Sequence, residues 1–445
     1  MPISPSPGTA VVLGLGYIGL PTSVVMARAG LRVIGVDINI DTVRTVNSGE
    51  CPIEEPFLAQ ALAEVVAKGQ FHATTRPATG DVFIVAVPTP FTGGYKPDLT
   101  YVEAAISSIA PVLEKGNLVL IESTIPVGTT EMVARWIETL RPDLACARRG
   151  SPQVPDLFIA HCPERVLPGQ MLKELVENDR IIGGVDDAST HAGQQFYRHF
   201  VTGNCLQTDS RTAELCKLAE NSFRDVNIAF ANEMAEICDD FSINVWELIR
   251  LANHHPRVNI LRPGPGVGGH CIAVDPWFIV SALGDKARLI REARWINSSR
   301  PRQVVRKVLD AVSVGGVNSV GCFGLSYKPN VGDYRESPAI EIVRYLAQEL
   351  YLLGAEVDLR IVEPFAKELP AELGGLKGIR LVGQTEALEA DLLLMLVDHT
   401  AFHDLAAQIR TGTKLIDTRG VWTEASTAQS ATPPANCPAR QVLEG

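Results

Sequence analysis

No stretch of this chain restricts its fold more than residues 10–37. Ala10-Val-Val-Leu runs into Gly14-Leu-Gly16-Tyr17-Ile18-Gly19, a helical stretch follows at 21–29, and a second apolar strand at 32–36 ends in Asp37. Strand, helix and strand in that order make a βαβ unit with parallel strands. In such a unit the first glycine permits the tight turn, the second lets a pyrophosphate approach the backbone, and the third lets helix and strand pack closely. The helix N-terminus offers N–H groups and a positive dipole end to the diphosphate. A carboxylate about twenty residues on hydrogen-bonds the ribose hydroxyls and repels a 2′-phosphate. Asp37 therefore favours NAD over NADP, with Arg44 near enough in sequence to soften the preference. Turn glycines beside a surface aspartate are the plain alternative, and the strand and helix flanks weigh against it.

The same alternation continues. Strand-like runs at 82–87, 118–122 and 157–160 and helical segments at 101–113 and 130–140 give the doubly wound α/β pattern. From 212 to 251 the chain is almost free of Gly and Pro, with Leu215, Leu218, Ala219, Phe223 and Val226 near helical spacing. One long helix or two abutting ones are expected there, linking domains. Helix signals resume at 287–297 and 302–311. A second strand–turn–helix opens at Ser319, with further strands at 356–362, 392–397 and 414–417. The expected fold class is α/β, with two doubly wound Rossmann-like domains joined by a long central helix.

With 445 residues the chain exceeds the roughly 250–300 at which a single core stops growing. A net charge of −11 argues against a dedicated nucleic-acid binder. No apolar run approaches the twenty or so residues of a bilayer span, and the first residues lack the pattern of a signal peptide. Nine cysteines without a Cys-x-x-Cys pair or ligand-like Cys/His spacing suit unpaired thiols in a reducing compartment, without metal. The expected location is the cytoplasm. The stretch from Glu424, rich in Ala, Pro, Ser and Thr, reads as a disordered tail over 426–445.

The segment Gly264-Pro-Gly266-Val-Gly268-Gly269-His270-Cys271-Ile-Ala-Val-Asp275-Pro carries the chemistry. Its glycines let the backbone approach a ligand and leave the cysteine unshielded. A cysteine so placed can act as a nucleophile, although a structural thiol fits the local sequence equally well. His270 lacks partners at metal-ligand spacing.

That segment, with Cys162-Pro-Glu164-Arg165-Val166-Leu-Pro-Gly-Gln and Asn221-Ser-Phe-Arg-Asp-Val-Asn-Ile-Ala-Phe-Ala-Asn-Glu, resembles the UDP-glucose/GDP-mannose dehydrogenase family over essentially the whole folded length. His270-Cys-Ile-Ala-Val-Asp-Pro-Trp-Phe resembles the branch acting on N-acetylated hexosamines. The resemblance implies an NAD-binding domain over 1–205 and a central helical linker and dimerisation region over 206–300, which carries the cysteine loop. It implies a UDP-sugar-binding domain over 301–425. The implied activity is NAD-dependent oxidation of a UDP-N-acetylhexosamine, foremost UDP-N-acetyl-D-mannosamine, to its uronate for surface polysaccharide.

Converting a primary alcohol to a carboxylate removes four electrons in two steps. A thiolate at Cys271 can add to the intermediate aldehyde, giving a thiohemiacetal that is oxidised to a thioester and then hydrolysed. By family resemblance Lys217 steadies the developing oxyanion and Asn221, one helical turn on, orients it. Asp275, Thr124 and Glu164 match groups that activate or position water or assist hydrolysis. Gly14, Gly16, Tyr17, Ile18, Gly19, Asp37, Thr89, Thr124 and Arg335 are the implied cofactor contacts. The implied sugar-nucleotide contacts are Glu164, Arg165, Val166, Lys217, Asn221, Arg257, Gly268 and Lys328, with Arg257 reaching the neighbouring subunit of a homodimer or larger homo-oligomer. Tyr327 and Gly332 depart from the family's usual Phe and Asp. Rival readings are a UDP-N-acetylglucosamine or UDP-glucose 6-dehydrogenase, a two-electron hydroxyacid dehydrogenase, and a non-catalytic NAD- or nucleotide-sugar-binding protein.

Overall fold

The computed structural model describes residues 8–150, 153–167, 169–269 and 271–422. The expected disordered tail at 426–445 and His270 lie outside the described residues. The chain forms two units, Met1–Asn221 with Asp275–Ala287, and Ser222–Val274 with Arg288–Gly445.

The first unit contains ten strands. They are β1 (Thr9–Leu13), β2 (Arg32–Val36), β3 (Phe71–Thr74), β4 (Val82–Val85), β5 (Phe91–Thr92), β6 (Lys96–Pro97), β7 (Leu118–Ile121), β8 (Phe158–His161), β9 (Arg180–Gly184) and β10 (Cys205–Asp209). Eight make one sheet in the order β10-β9-β8-β7-β4-β1-β2-β3, while β5 and β6 form a small antiparallel ribbon. Helices on both faces leave Val11, Val12, Phe83, Ile84, Val119 and Leu120 fully buried, which is why these strands read as unbroken apolar runs. The sheet is parallel except where β9 pairs antiparallel to β8. The linking helix Met171–Glu177 packs on Gly19–Arg28, so the chain re-enters the sheet from the end it left.

The run at 212–251 is two helices. Ser210–Asp240 is one continuous helix. It stops before Ser242, whose φ of 56° takes the chain out of helical geometry, and Asn244 then caps Val245–Ala252 by accepting from the Trp246 N–H at 2.9 Å. The two helical segments expected at 287–297 and 302–311 are instead one helix, Arg288–Ser313, with Pro301 inside it. Proline removes one helical N–H, and here its ring faces the glycine-rich loop: a Cβ on Gly266 would stand 3.4 Å from it.

The second unit holds a five-stranded parallel sheet in the order β13-β12-β11-β14-β15, made of β11 (Ser319–Phe323), β12 (Asp358–Val362), β13 (Ile379–Leu381), β14 (Leu392–Met395) and β15 (Lys414–Asp417). The two units repeat one backbone latch. In the first, the Gly14 N–H donates to Val36 O at 2.8 Å and the Leu15 N–H to Asp37 Oδ2 at 2.9 Å. In the second, the Gly324 N–H donates to Val362 O at 2.8 Å and the Leu325 N–H to Glu363 Oε2 at 2.7 Å. Asp37 and Glu363 thus occupy equivalent places at the end of the second strand of each sheet. Among the described residues no helix is long and apolar enough to cross a membrane.

Candidate active site

The glycine turn after β1 is closed to side chains at its first and third glycines and open at its second. Gly14 has φ +92°, and a Cβ there would lie 2.5 Å from Ala86 O. On Gly19 a Cβ would lie 1.8 Å from Gly14 O, so only glycine lets the helix Gly19–Arg28 begin against β1. Gly16, by contrast, faces open space. Asp37 is half-buried, and each of its oxygens takes one backbone N–H, from Leu15 and from Asn39, both at 2.9 Å. Each oxygen keeps a lone pair for a ribose hydroxyl. Arg44 is exposed beside Asp41, at 3.5 Å. These residues fit NAD. Further along the C-terminal edge of the sheet, the Thr89 hydroxyl donates to Thr124 O at 2.7 Å and Ser123 Oγ to Val87 O at 2.7 Å, joining the loops after β4 and β7.

Four of the sequence-predicted catalytic residues meet in the same unit. Lys217, Asn221, Asp275 and Glu164 are all buried. Lys217 Nζ donates to Glu164 O at 2.6 Å and lies 3.9 Å from its carboxylate. Asn221 Nδ2 donates to Asp275 Oδ2 at 2.5 Å. The one-turn spacing of Lys217 and Asn221 places both on one face of the Ser210–Asp240 helix. Burial pushes the Asp275 carboxyl up to about 6, with Lys217 and Asn221 pulling the other way. A buried acid beside a lysine is thereby poised to change protonation near neutral pH. Glu164 also accepts from the Val166 N–H. Arg165 forms a two-pronged pair with Glu220, at 3.0 and 2.7 Å.

The remaining candidates belong to the second unit. Cys271 is exposed at the end of the glycine loop. Gly268 leaves no room for a side chain: its Cβ would stand 2.4 Å from Glu336 O and 2.9 Å from the Tyr327 Cβ. Arg257 is exposed and Lys328 half-buried. Arg335 pairs with Asp333 at 2.9 and 2.5 Å, so a pyrophosphate would compete with that carboxylate. The eight cysteines among the described residues form no disulfide with one another.

Among the buried carboxylates that escaped the sequence reading are Glu214 and Glu122. Glu214, one turn before Lys217, accepts from the Gly128 N–H at 2.5 Å, the Thr130 N–H at 2.7 Å and the Thr130 hydroxyl at 2.6 Å. It caps the helix Thr129–Leu140 and ties it to the helix of Lys217. Glu122, at the end of β7, accepts from the Tyr197 hydroxyl at 2.7 Å, and burial raises its carboxyl above the ordinary value. The available signal was an acid set among apolar neighbours, which sequence alone does not separate from an exposed one.

A sheet with a dinucleotide-type glycine turn, a long helix carrying Lys217 and Asn221, and a second parallel sheet are the parts of an NAD-dependent dehydrogenase of two-nucleotide architecture. Three models of the UDP-glucose/GDP-mannose dehydrogenase family match most of the chain: the NAD-binding domain at residues 9–201, the central domain at 211–299 and the UDP-binding domain at 321–424. The chain is 52% identical over 415 residues to an NDP-N-acetyl-D-galactosaminuronic acid dehydrogenase of Ralstonia nicotianae, covering 93% of this chain and 96% of that one. It is 50% identical over 422 residues to the UDP-N-acetyl-D-mannosamine dehydrogenase of Escherichia coli, covering 93% and 99%. The structure of a UDP-N-acetyl-mannosamine dehydrogenase from Staphylococcus aureus superposes with a TM-score of 0.81 at 42% identity, covering 93% and 95%. The chain belongs to the UDP-glucose/GDP-mannose dehydrogenase family.

Proposed function

We propose that this protein oxidises UDP-N-acetyl-D-mannosamine to UDP-N-acetyl-D-mannosaminuronate in two steps, through a thioester on Cys271, in the cytoplasm and for surface polysaccharide. The buried cluster of Lys217, Asn221, Asp275 and Glu164 carries the reading, because a buried cation held between acids and an amide suits a developing alkoxide. NAD bound at the glycine turn supplies the two-electron acceptor for each step. Lys217 and Asn221 stabilise the C6 oxygen as its proton leaves. The Cys271 thiolate adds to the aldehyde carbon, and the thiohemiacetal, once oxidised, becomes a thioester. Asp275 follows Cys271 by only four residues. With its carboxyl at about 6 it takes the proton of the water that releases the acid, regenerating the thiol.

Lys328 and Gly268 hold the nucleotide sugar in this reading, Thr124 places water, and Arg335 leaves Asp333 for the cofactor diphosphate. The working form is a homodimer in which Arg257 serves the neighbouring site. Its support is the stripe Phe223, Phe230 and Ile237, exposed at 70%, 46% and 39% and spaced by seven along the long helix, a spacing that a second copy covers. A substrate of the N-acetylgalactosamine series is the second reading, favoured by the name of the Ralstonia relative.

The test is incubation with each of UDP-N-acetylmannosamine, UDP-N-acetylgalactosamine, UDP-N-acetylglucosamine and UDP-glucose, counting NADH per sugar consumed. Two NADH per UDP-N-acetylmannosamine, with slower turnover of the others, is expected. A ratio of one throughout, or no turnover, refutes the reading, and preference for the galactosamine sugar selects the second.

A further inference from the structure

The glycine-rich loop is held from the helices beneath it by a chain of buried side chains that no part of the proposed chemistry uses. The Gly264 N–H donates to Asn232 Oδ1 at 2.8 Å, and Gly264 O accepts from Arg300 Nε at 3.1 Å. Asn232 Nδ2 donates in turn to Asn297 Oδ1 at 2.8 Å. Asn297 Nδ2 donates to Asp225 Oδ1 at 2.8 Å and to Asp225 O at 2.9 Å. Asp225 Oδ1 also takes Arg294 Nη1 at 2.6 Å. Asp225, Asn232, Arg294, Asn297 and Arg300 are all at most 4% exposed.

Donor and acceptor must alternate along this chain, and both ends fix the sense. A carboxylate and a carbonyl only accept, so Asn297 has to present its NH2 to Asp225 and its oxygen to Asn232. Asn232 then has to present its NH2 to Asn297 and its oxygen to the loop. The Gly264 N–H, which only donates, meets that oxygen. Reversing either amide would set two acceptors or two donors face to face among buried groups, at a cost that rises as the surroundings become less polar.

We propose that Asp225, Asn297 and Asn232 form a polarised relay that fixes Gly264 and so sets where the loop delivers Cys271, with Asn232 as the positioning residue at its end. This rests on the reading of Cys271 as nucleophile. The loop has little slack once Gly264 is held, because its later glycines are backed by Pro301, Pro338 and Tyr327.

The test uses Asn232→Asp, which keeps the shape but sets an acceptor against Asn297 Oδ1, and Asn232→Ala in the full-length enzyme. Three quantities are read: deuterium uptake of the peptide containing Gly264, NADH formed per sugar, and NAD binding. The expected result is at least tenfold faster exchange at Gly264 with NAD binding unchanged. The NADH ratio falls from two toward one as aldehyde escapes, and kcat falls at least tenfold while KM for the sugar nucleotide stays within threefold. A protein folded as judged by NAD binding, with unchanged exchange at Gly264, overturns the relay. Faster exchange with an unchanged NADH ratio overturns its link to Cys271. If wild type itself forms no thioester, the exchange result still judges the relay separately from the chemistry.

Discussion

Asp275→Asn should make the protein more stable and less active, by an amount that depends on pH. Burial raises the Asp275 carboxyl from its ordinary 3.8 to about 6. A carboxyl whose pKa rises on folding binds its proton more tightly in the native state, so its contribution is intact below 3.8 and is lost as pH rises through about 6. The interval of 6 − 3.8 = 2.2, at about 1.36 kcal/mol per pH unit, puts the cost of the ionised group near 3 kcal/mol at pH 7.5. The same linkage gives between about 1 and 2 kcal/mol at pH 5 and almost nothing well below pH 3.8. Asparagine carries no charge to bury, and its carbonyl can still accept from Asn221. For a unit of 150–250 residues, about 2–4 °C of Tm per kcal/mol gives a rise of about 6 °C or more at pH 7.5. Thermal unfolding of both forms from pH 4.5 to 8 is the assay, with acid formation measured in parallel. A gain that does not shrink toward low pH, or a variant less stable than wild type at pH 7.5, would refute the reasoning. Full activity in the variant would remove Asp275 from the chemistry.

Cys271→Ser is expected to bind NAD like wild type and to stop net acid formation, read as loss of the second NADH per sugar. Asp37→Ala removes charge-assisted contacts worth about 1.5–3 kcal/mol to the ribose, so KM for NAD should rise about ten- to hundredfold and discrimination against NADP should weaken. An unchanged KM would take Asp37 out of the site. Glu214→Ala strands the N–H groups of Gly128 and Thr130, each costing about 1–3 kcal/mol when buried and unpaired. Denaturant titration should show a loss of at least about 2 kcal/mol, and a loss under 0.5 kcal/mol would contradict the capping role.

Local pattern carried the parts of this molecule whose causes are local. The run from Ala10 to Asp37 names its fold because a parallel strand buried on both faces, a glycine turn and a closing carboxylate each leave a mark in adjacent residues. Lys217 and Asn221 were singled out by the family resemblance, since one helical turn puts two residues on one face without marking a site. The antiparallel β9 was not, because strand direction depends on where the Met171–Glu177 helix packs. The join of 287–297 to 302–311 was hidden by Pro301, which marks a break in most sequences and here lies inside a helix. Glu214, Asp225 and Asn297 were also silent. Their partners lie 65 to 86 residues away in the chain, and a polar residue shows its role only when both ends are in view.

The first unit is not a continuous stretch of chain: it takes Met1–Asn221 and then Asp275–Ala287, with the intervening residues belonging elsewhere. During synthesis it therefore cannot finish when its sheet does. Phe91 and Tyr95 wait for Phe278 and Trp277, which pack on them at ring distances of 5.7 and 4.1 Å. Asn221 waits for Asp275, 54 residues downstream. A nascent chain released anywhere before that point, or a fragment cut at Asn221 to isolate the cofactor domain, would hold the glycine turn and Asp37 without the Asp275 carboxylate. On the chemistry proposed above, such a piece would bind the cofactor without turning it over. Of the candidate site residues that this unit holds, Asp275 is the last to arrive.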